Sequence, residues 1–162
     1  MTRILGIDPG LVHTGWAVID SHGSTRTYIA SGVILPPTKL PMAERLAHVF
    51  RGVDDICAKF MPDACSIEVI FVNQNPKTTL LLGQARAAAM VAVANRDIPV
   101  YEYEPNKIKK AIASGGHADK DAITKMVHLL LPAANPKSPD EADAIAIALA
   151  HSNMARFTTL IQ

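Results

Sequence analysis

The chain has 162 residues and a mass of 17.4 kDa, enough for one ordinary domain with a real core. Its 49% hydrophobic and 19% charged residues exclude a disordered polyelectrolyte, and a formal charge of +1 gives no global pull toward polyanions. Cys57 and Cys65 form no Cys-x-x-Cys or Cys/His array, which argues against a structural zinc site and for free thiols in a reducing compartment. The opening MTRILGIDPG lacks the apolar region of a signal peptide, and no apolar run reaches membrane-spanning length, so the expected location is the cytoplasm.

Arg3 to Asp8 is a short apolar run ending at Pro9-Gly10, the pattern of a strand entering a turn. Trp16 to Asp20 and Thr25 to Leu35 extend it into a hairpin-rich sheet, with turn chemistry at Ser21-His22-Gly23. Pro36, Pro37 and Pro41 break the chain before a helix predicted over 42–60. Ser66 to Val72 (SIEVIFV) reads as a buried strand. The following LLLGQARAAAMVAVAN is apolar on most faces, which predicts a helix buried on several sides, in the core or in a subunit interface.

Val100 to Glu104 is a further strand, followed by a short helix around Lys107 to Ala113. After Ser114-Gly115-Gly116, a helix over 119–131 places Ala122, Ile123, Met126, Val127 and Leu130 on one face. The last helix opens at Ser138-Pro139 and is expected to end near Asn153. Strands first, then alternating helices and strands, predict an α/β domain with a mixed sheet over 1–153 and a tail over 154–162. Lysines 107, 109, 110, 120, 125 and 137 stand against only Asp119 and Asp121 in one stretch, either a phosphate-contacting surface or a merely solvated one.

Three separate elements each bring a carboxylate to the edge of buried structure. Asp8 ends the first strand, where a turn-forming Asp is the simpler alternative. Glu68 sits among Ile67, Val69, Ile70 and Phe71, and an ionised carboxylate there costs several kcal/mol unless a cation, a metal or an Arg/Lys partner offsets it. Asp140 and Asp143 share one helix face at the mouth of AIAIALA, with favourable helix-dipole contact as the plain use of Asp140. Ser138 and Glu141 have capping-box spacing, which gives Glu141 a structural job and leaves it outside the site. Distant acids of this kind suit Mg²⁺, which takes oxygen ligands and completes its shell with waters and substrate phosphates.

The ordered segments GIDPGLVHTGWAVI, SIEVIFVNQN, LLGQARAAAMVAVAN, VYEYEPNKIKKAI and DEADAIAIALAH resemble the RuvC family of Holliday-junction resolvases, from about residue 3 to residue 151. The resemblance implies a ribonuclease H-like fold and a homodimer. Such a dimer nicks opposing strands of a four-way junction, leaving 5′-phosphates, and works with the RuvA–RuvB branch-migration machinery. It also implies two Mg²⁺ ions, with Mn²⁺ as a substitute, held by Asp8, Glu68, Asp140 and Asp143. Phe71 matches the family aromatic that stacks on a base, although a core Phe is the ordinary alternative. Lys109 and Lys120 match lysines near the scissile phosphate, and Arg86 either touches the DNA backbone or supports the site.

The chain departs from the family pattern at Ala87, Ser114 and Ala122, where Gly, Gly and Gln are usual. His13 is a surface residue that could approach DNA, and His151 reads as a capping or packing residue. The competing readings are a related ribonuclease H-like nuclease acting on other branched DNA or RNA, a non-catalytic junction binder, and an actin-like or sugar-kinase ATPase. The last needs a second phosphate loop and a duplicated domain that this length does not hold.

Overall fold

The computed structural model describes residues 1–71, 75–112 and 120–159, with the side chains of 120–122 and 156–159 outside the description. Strands β1 (Thr2–Asp8), β2 (Thr14–His22) and β3 (Thr25–Ile34) form an antiparallel meander. β4 (Ala64–Glu68) and β5 (Val100–Tyr103) add in parallel on the other side of β1, giving the order β3-β2-β1-β4-β5. This is the mixed α/β sheet that the residue pattern predicts.

The two-residue period of β1 assigns its faces. Leu5 and Ile7 join a core with α1 (Met42–Phe60), whose Val49, Val53, Ile56 and Cys57 are buried at helical spacing, and with α2 (Pro76–Ala94). Ile4 points the other way, into a second core with α3 (Pro105–Ile112), α4 (Lys120–Leu130) and α5 (Pro139–Thr159). Gly6 and Asp8 share that second face.

α5 lies directly on the sheet because both surfaces are small. Ala144 to Ala150 are all buried, and a Cβ on Gly6 would sit 2.2 Å from the Ala144 carbonyl oxygen and 2.9 Å from the Ala148 Cβ. Gly15 makes the same allowance at the helix start, where an added Cβ would lie 2.1 Å from the Asp140 carbonyl oxygen. Only glycine permits either approach. Ser66, on the same face of β4, donates its hydroxyl to the Ile147 carbonyl at 3.2 Å.

Several boundaries differ from the sequence expectation. The hairpin turn is Gly23-Ser24, with Gly23 at φ +55, because Ser21 and His22 still pair with Arg26 and Thr25. β4 begins at Ala64 rather than Ser66 and stops at Glu68, where its neighbour β1 also ends; Val69 adds one bond to the Tyr103 carbonyl. Glu68 is therefore a strand-end residue, with Val69 and Ile70 half-buried, not one enclosed on both faces. α5 continues to Thr159, past the helix end expected near Asn153. α2 is buried along one face only, at Ala85, Ala89, Ala92 and Val93, while Leu80 and Val91 are exposed. Among the described residues no helix is long and apolar enough to cross a membrane.

Candidate active site

The strand register brings the first two acids together. Ile7 pairs with Ile67 in the parallel β1/β4 ladder, so Asp8 and Glu68 follow as neighbours at the ends of strands spaced about 4.8 Å apart. Both face α5, as Gly6 and Ser66 do. Asp8 also pairs with Gly15, and Gly15 lies against the backbone of Asp140. The start of α5 therefore descends onto the strand ends, bringing Asp140 and, one turn on, Asp143. Asp8, Glu68 and Asp140 line one cleft of about 900 Å³.

The ionisation of Glu68 reports the fourth acid. Burial first, then the charge of Asp143, pushes its carboxyl above the ordinary glutamate range, while Lys109 pulls it down. Asp143 and Lys109 are thus within electrostatic reach of Glu68. The side chains have not closed into a cage: among the described residues no group of three acids, histidines or cysteines is drawn tightly enough to hold an ion as it stands. Like charges on converging backbones are expected to hold their carboxylates apart.

The raised Glu68 value has a consequence for stability. Stability from the neutral carboxyl is fully present below the ordinary value of 4.5 and is lost as pH rises through the higher folded-state value. In chelator at neutral pH, Glu68→Gln is therefore expected to raise the unfolding temperature, with the gain shrinking as pH falls toward 4.5. Thermal unfolding across that pH range checks it, and an unchanged or lowered temperature at neutral pH refutes it.

Arg86 does not neutralise the Glu68 carboxylate. Its Nε donates to the Glu68 backbone carbonyl at 2.9 Å, and its guanidinium pairs with Glu102. Between the two proposed uses, these contacts favour support of the site, because they tie α2 to the ends of β4 and β5. Arg86→Ala should then lower stability and nicking while leaving the salt slope of DNA binding unchanged. A slope reduced by about one would instead mark a phosphate contact.

Phe71 is not a core residue: it is 53% exposed and lines the cleft. Lys109 is half-buried on α3. Lys120 opens α4, but its side chain lies outside the described residues, as do Ser114 and the side chain of Ala122. Ala87 is exposed on α2. His13 is half-exposed, with Nδ1 3.8 Å from Asp140 Oδ2. The Glu141 backbone N–H donates to Ser138 Oγ at 3.2 Å, but its carboxylate turns inward to accept from Ser31 Oγ at 2.8 Å instead of completing a capping box. His151 packs: it is buried, its Nδ1 lies 2.7 Å from the Tyr103 hydroxyl, its ring stacks near Tyr101, and burial lowers its pKa.

The family model for the crossover junction endodeoxyribonuclease RuvC matches residues 4–151. The chain belongs to the RuvC family. It is 48% identical over 153 residues to the crossover junction endodeoxyribonuclease RuvC of Azorhizobium caulinodans, covering 94% of this chain and 90% of that protein. The Bartonella henselae RuvC is 47% identical over 150 residues, covering 93% of this chain and 89% of its own. The structure of T. thermophilus RuvC in complex with Holliday junction substrate superposes with a TM-score of 0.92 at 31% identity, covering 98% of each chain. The yeast mitochondrial resolvase Ydc2 shares the fold, with a TM-score of 0.71 at 14% identity over 98% of this chain and 81% of that one. The ribonuclease H-like architecture and the endonuclease activity follow from this membership, and the ATPase alternative falls away.

Within this RuvC framework, some cleft residues carried no sequence signal. Arg45 reaches in from the first turn of α1, and Thr78 and Thr79 of α2 and Asn106 of α3 also line the cleft. Asn75 was legible in principle: Asn-Pro before an apolar run marks a helix N-cap, and its side chain accepts from the Thr78 N–H at 3.3 Å.

Proposed function

We propose that this chain resolves Holliday junctions during recombination and repair, by paired nicks in opposing strands that leave ligatable 5′-phosphate ends. The observation that carries the reading is the meeting of Asp8, Glu68 and Asp140 in one cleft with Asp143 in electrostatic reach, in a RuvC-family chain. The donor set is all hard oxygen and suits Mg²⁺, with Mn²⁺ as a substitute. Two such ions, when bound, would supply Lewis acidity for an attacking water and a leaving 3′-oxygen.

The protein's own groups then have separate jobs. Asp8 and Glu68 hold position from strand ends, and Asp140 and Asp143 from a helix pinned by Gly6 and Gly15. Lys109 and Lys120 offset charge on the scissile phosphate. Phe71 offers an exposed ring for a base unstacked at the crossover. Arg86 fixes the backbone that carries Glu68.

Paired cleavage calls for two copies. The exposed face of α2 runs Leu80, Gly83, Ala87, Val91 and Ala94, apolar and small at helical spacing, with open space above Gly83. Such a stripe suits a two-fold helix–helix contact between protomers. Val91→Arg should give folded monomers by light scattering and lower coupled nicking of a cruciform plasmid by at least about tenfold. A dimer that persists in this variant removes α2 from the interface. The RuvA–RuvB machinery is the partner proposed from the family resemblance, and the cytoplasm is the location proposed because no apolar run reaches membrane-spanning length.

The function itself is tested by incubating the protein with a synthetic four-way junction, a linear duplex and a flap, with Mg²⁺ or chelator. Symmetrical paired nicks confined to the junction and to Mg²⁺ are expected. Equal cutting of duplex or flap, or cutting in chelator, overturns the reading.

A further inference from the structure

The cleft has two exposed apolar tips on either side of Asp8, and the mechanism so far uses one. Phe71 follows β4; Val12, in the loop between β1 and β2, is 51% exposed and lines the same cleft. The sheet order β2-β1-β4 places the two on opposite flanks of the acids.

A valine on a loop is usually incidental, but this loop is built to hold its tip still. Thr14, fully buried, donates Oγ1 to the Gly10 carbonyl at 2.6 Å and lies 3.2 Å from the Gly10 N–H. Gly10 folds so tightly under the loop that a Cβ would sit 2.2 Å from the His13 carbonyl oxygen. Leu11 is buried, and Arg45 of α1 donates to its carbonyl at 2.6 Å. Leu11 before Val12 is thus anchored, and the backbone of His13 after it is packed against Gly10. A tip ordered in advance loses little further freedom when a ligand meets it.

We infer that Val12 is a second apolar substrate-contacting residue, packing against the deoxyribose or base of the nucleotide beside the scissile phosphate, on the flank away from Phe71. Arg45 is its positioning residue. Deoxyribose C–H groups and the thymine methyl are the apolar parts that DNA presents, and an uncharged branched side chain can touch both without competing with the acids for cations. The inference rests on the nuclease reading of the cleft and adds the second side of the grip on the strand.

Disulfide trapping tests it. Val12→Cys is mixed, in chelator, with four-way junctions carrying a thiol tether at successive nucleotides around the cleavage point. Cys57 and Cys65 are buried and offer no competing thiol. Met61→Cys is the control: Met61 is 72% exposed and precedes β4, at the opposite end of that strand from Glu68. Cross-linking should concentrate at one or two adjacent nucleotides and exceed the control by roughly tenfold, as effective concentration requires.

Adding Arg45→Met should spread the cross-links over more nucleotides, and Arg45→Lys should refocus them; cross-links that stay focused with Arg45→Met remove its positioning role. If the parent nicks the junction in Mg²⁺ while Val12→Cys traps no better than the control, the Val12 contact alone is overturned. A parent that fails to nick overturns the nuclease reading beneath it.

Discussion

Asp8→Asn is expected to lower junction nicking by about a thousandfold or more, with junction binding in chelator equal to or tighter than the parent's. Asp8 terminates β1 on the α5 face, beside Glu68 and opposite Gly15, where it lines the cleft with Asp140. The amide keeps the size and shape of the side chain but lacks the charge that a divalent cation needs. Removing a negative charge near the bound phosphates also lessens their repulsion, so binding should not weaken. Gel-shift titration and single-turnover nicking separate the two quantities. Nicking at the parent's rate would remove Asp8 from the site.

Gly6→Ala should cost about 3 kcal/mol and lower the unfolding temperature by roughly 10 °C, a large effect for one added methyl. The new Cβ would meet the Ala144 carbonyl oxygen at 2.2 Å and the Ala148 backbone nitrogen at 2.8 Å. Both are backbone atoms, so relief requires moving α5 itself. That helix carries Asp140 and Asp143, and its displacement should reduce nicking even at temperatures where the variant stays folded. Chemical denaturation with parallel single-turnover assays checks both parts. A variant as stable and as active as the parent would mean that α5 does not lie as closely on β1 as described.

These effects show how far the residues alone reach. α1 was legible from Met42 to Phe60 because proline punctuation and helical spacing coincide. The edge of β4 was not, since SIEVIFV is apolar on both sides of Glu68 and the ends of the neighbouring β1 and β5 decide where pairing stops. α2 shows the converse: apolarity on most faces suggested burial on several sides, in the core or an interface, but the fold itself covers only the Ala85/Ala89/Ala92 face. Periodicity does not tell a buried face from an exposed apolar one.

The acids were legible as types in the right contexts, but their meeting depends on β1/β4 register and on two glycines that let α5 descend. Glu141 illustrates the limit in small: its spacing from Ser138 fits a capping box, whereas a long-range hydroxyl, that of Ser31, takes its carboxylate. Arg45 joined the cleft through packing of α1 against the loop after Asp8, a contact no local pattern announces.

The most direct measurement is anomalous diffraction from crystals equilibrated with Mn²⁺, collected for the parent and for Asp8→Asn. Manganese should appear in the cleft, coordinated by carboxylate oxygens of Asp8, Glu68, Asp140 and Asp143, and should be weakened or lost in the variant. Manganese bound elsewhere, with these four carboxylates unengaged at saturating Mn²⁺, would contradict the assignment of the site.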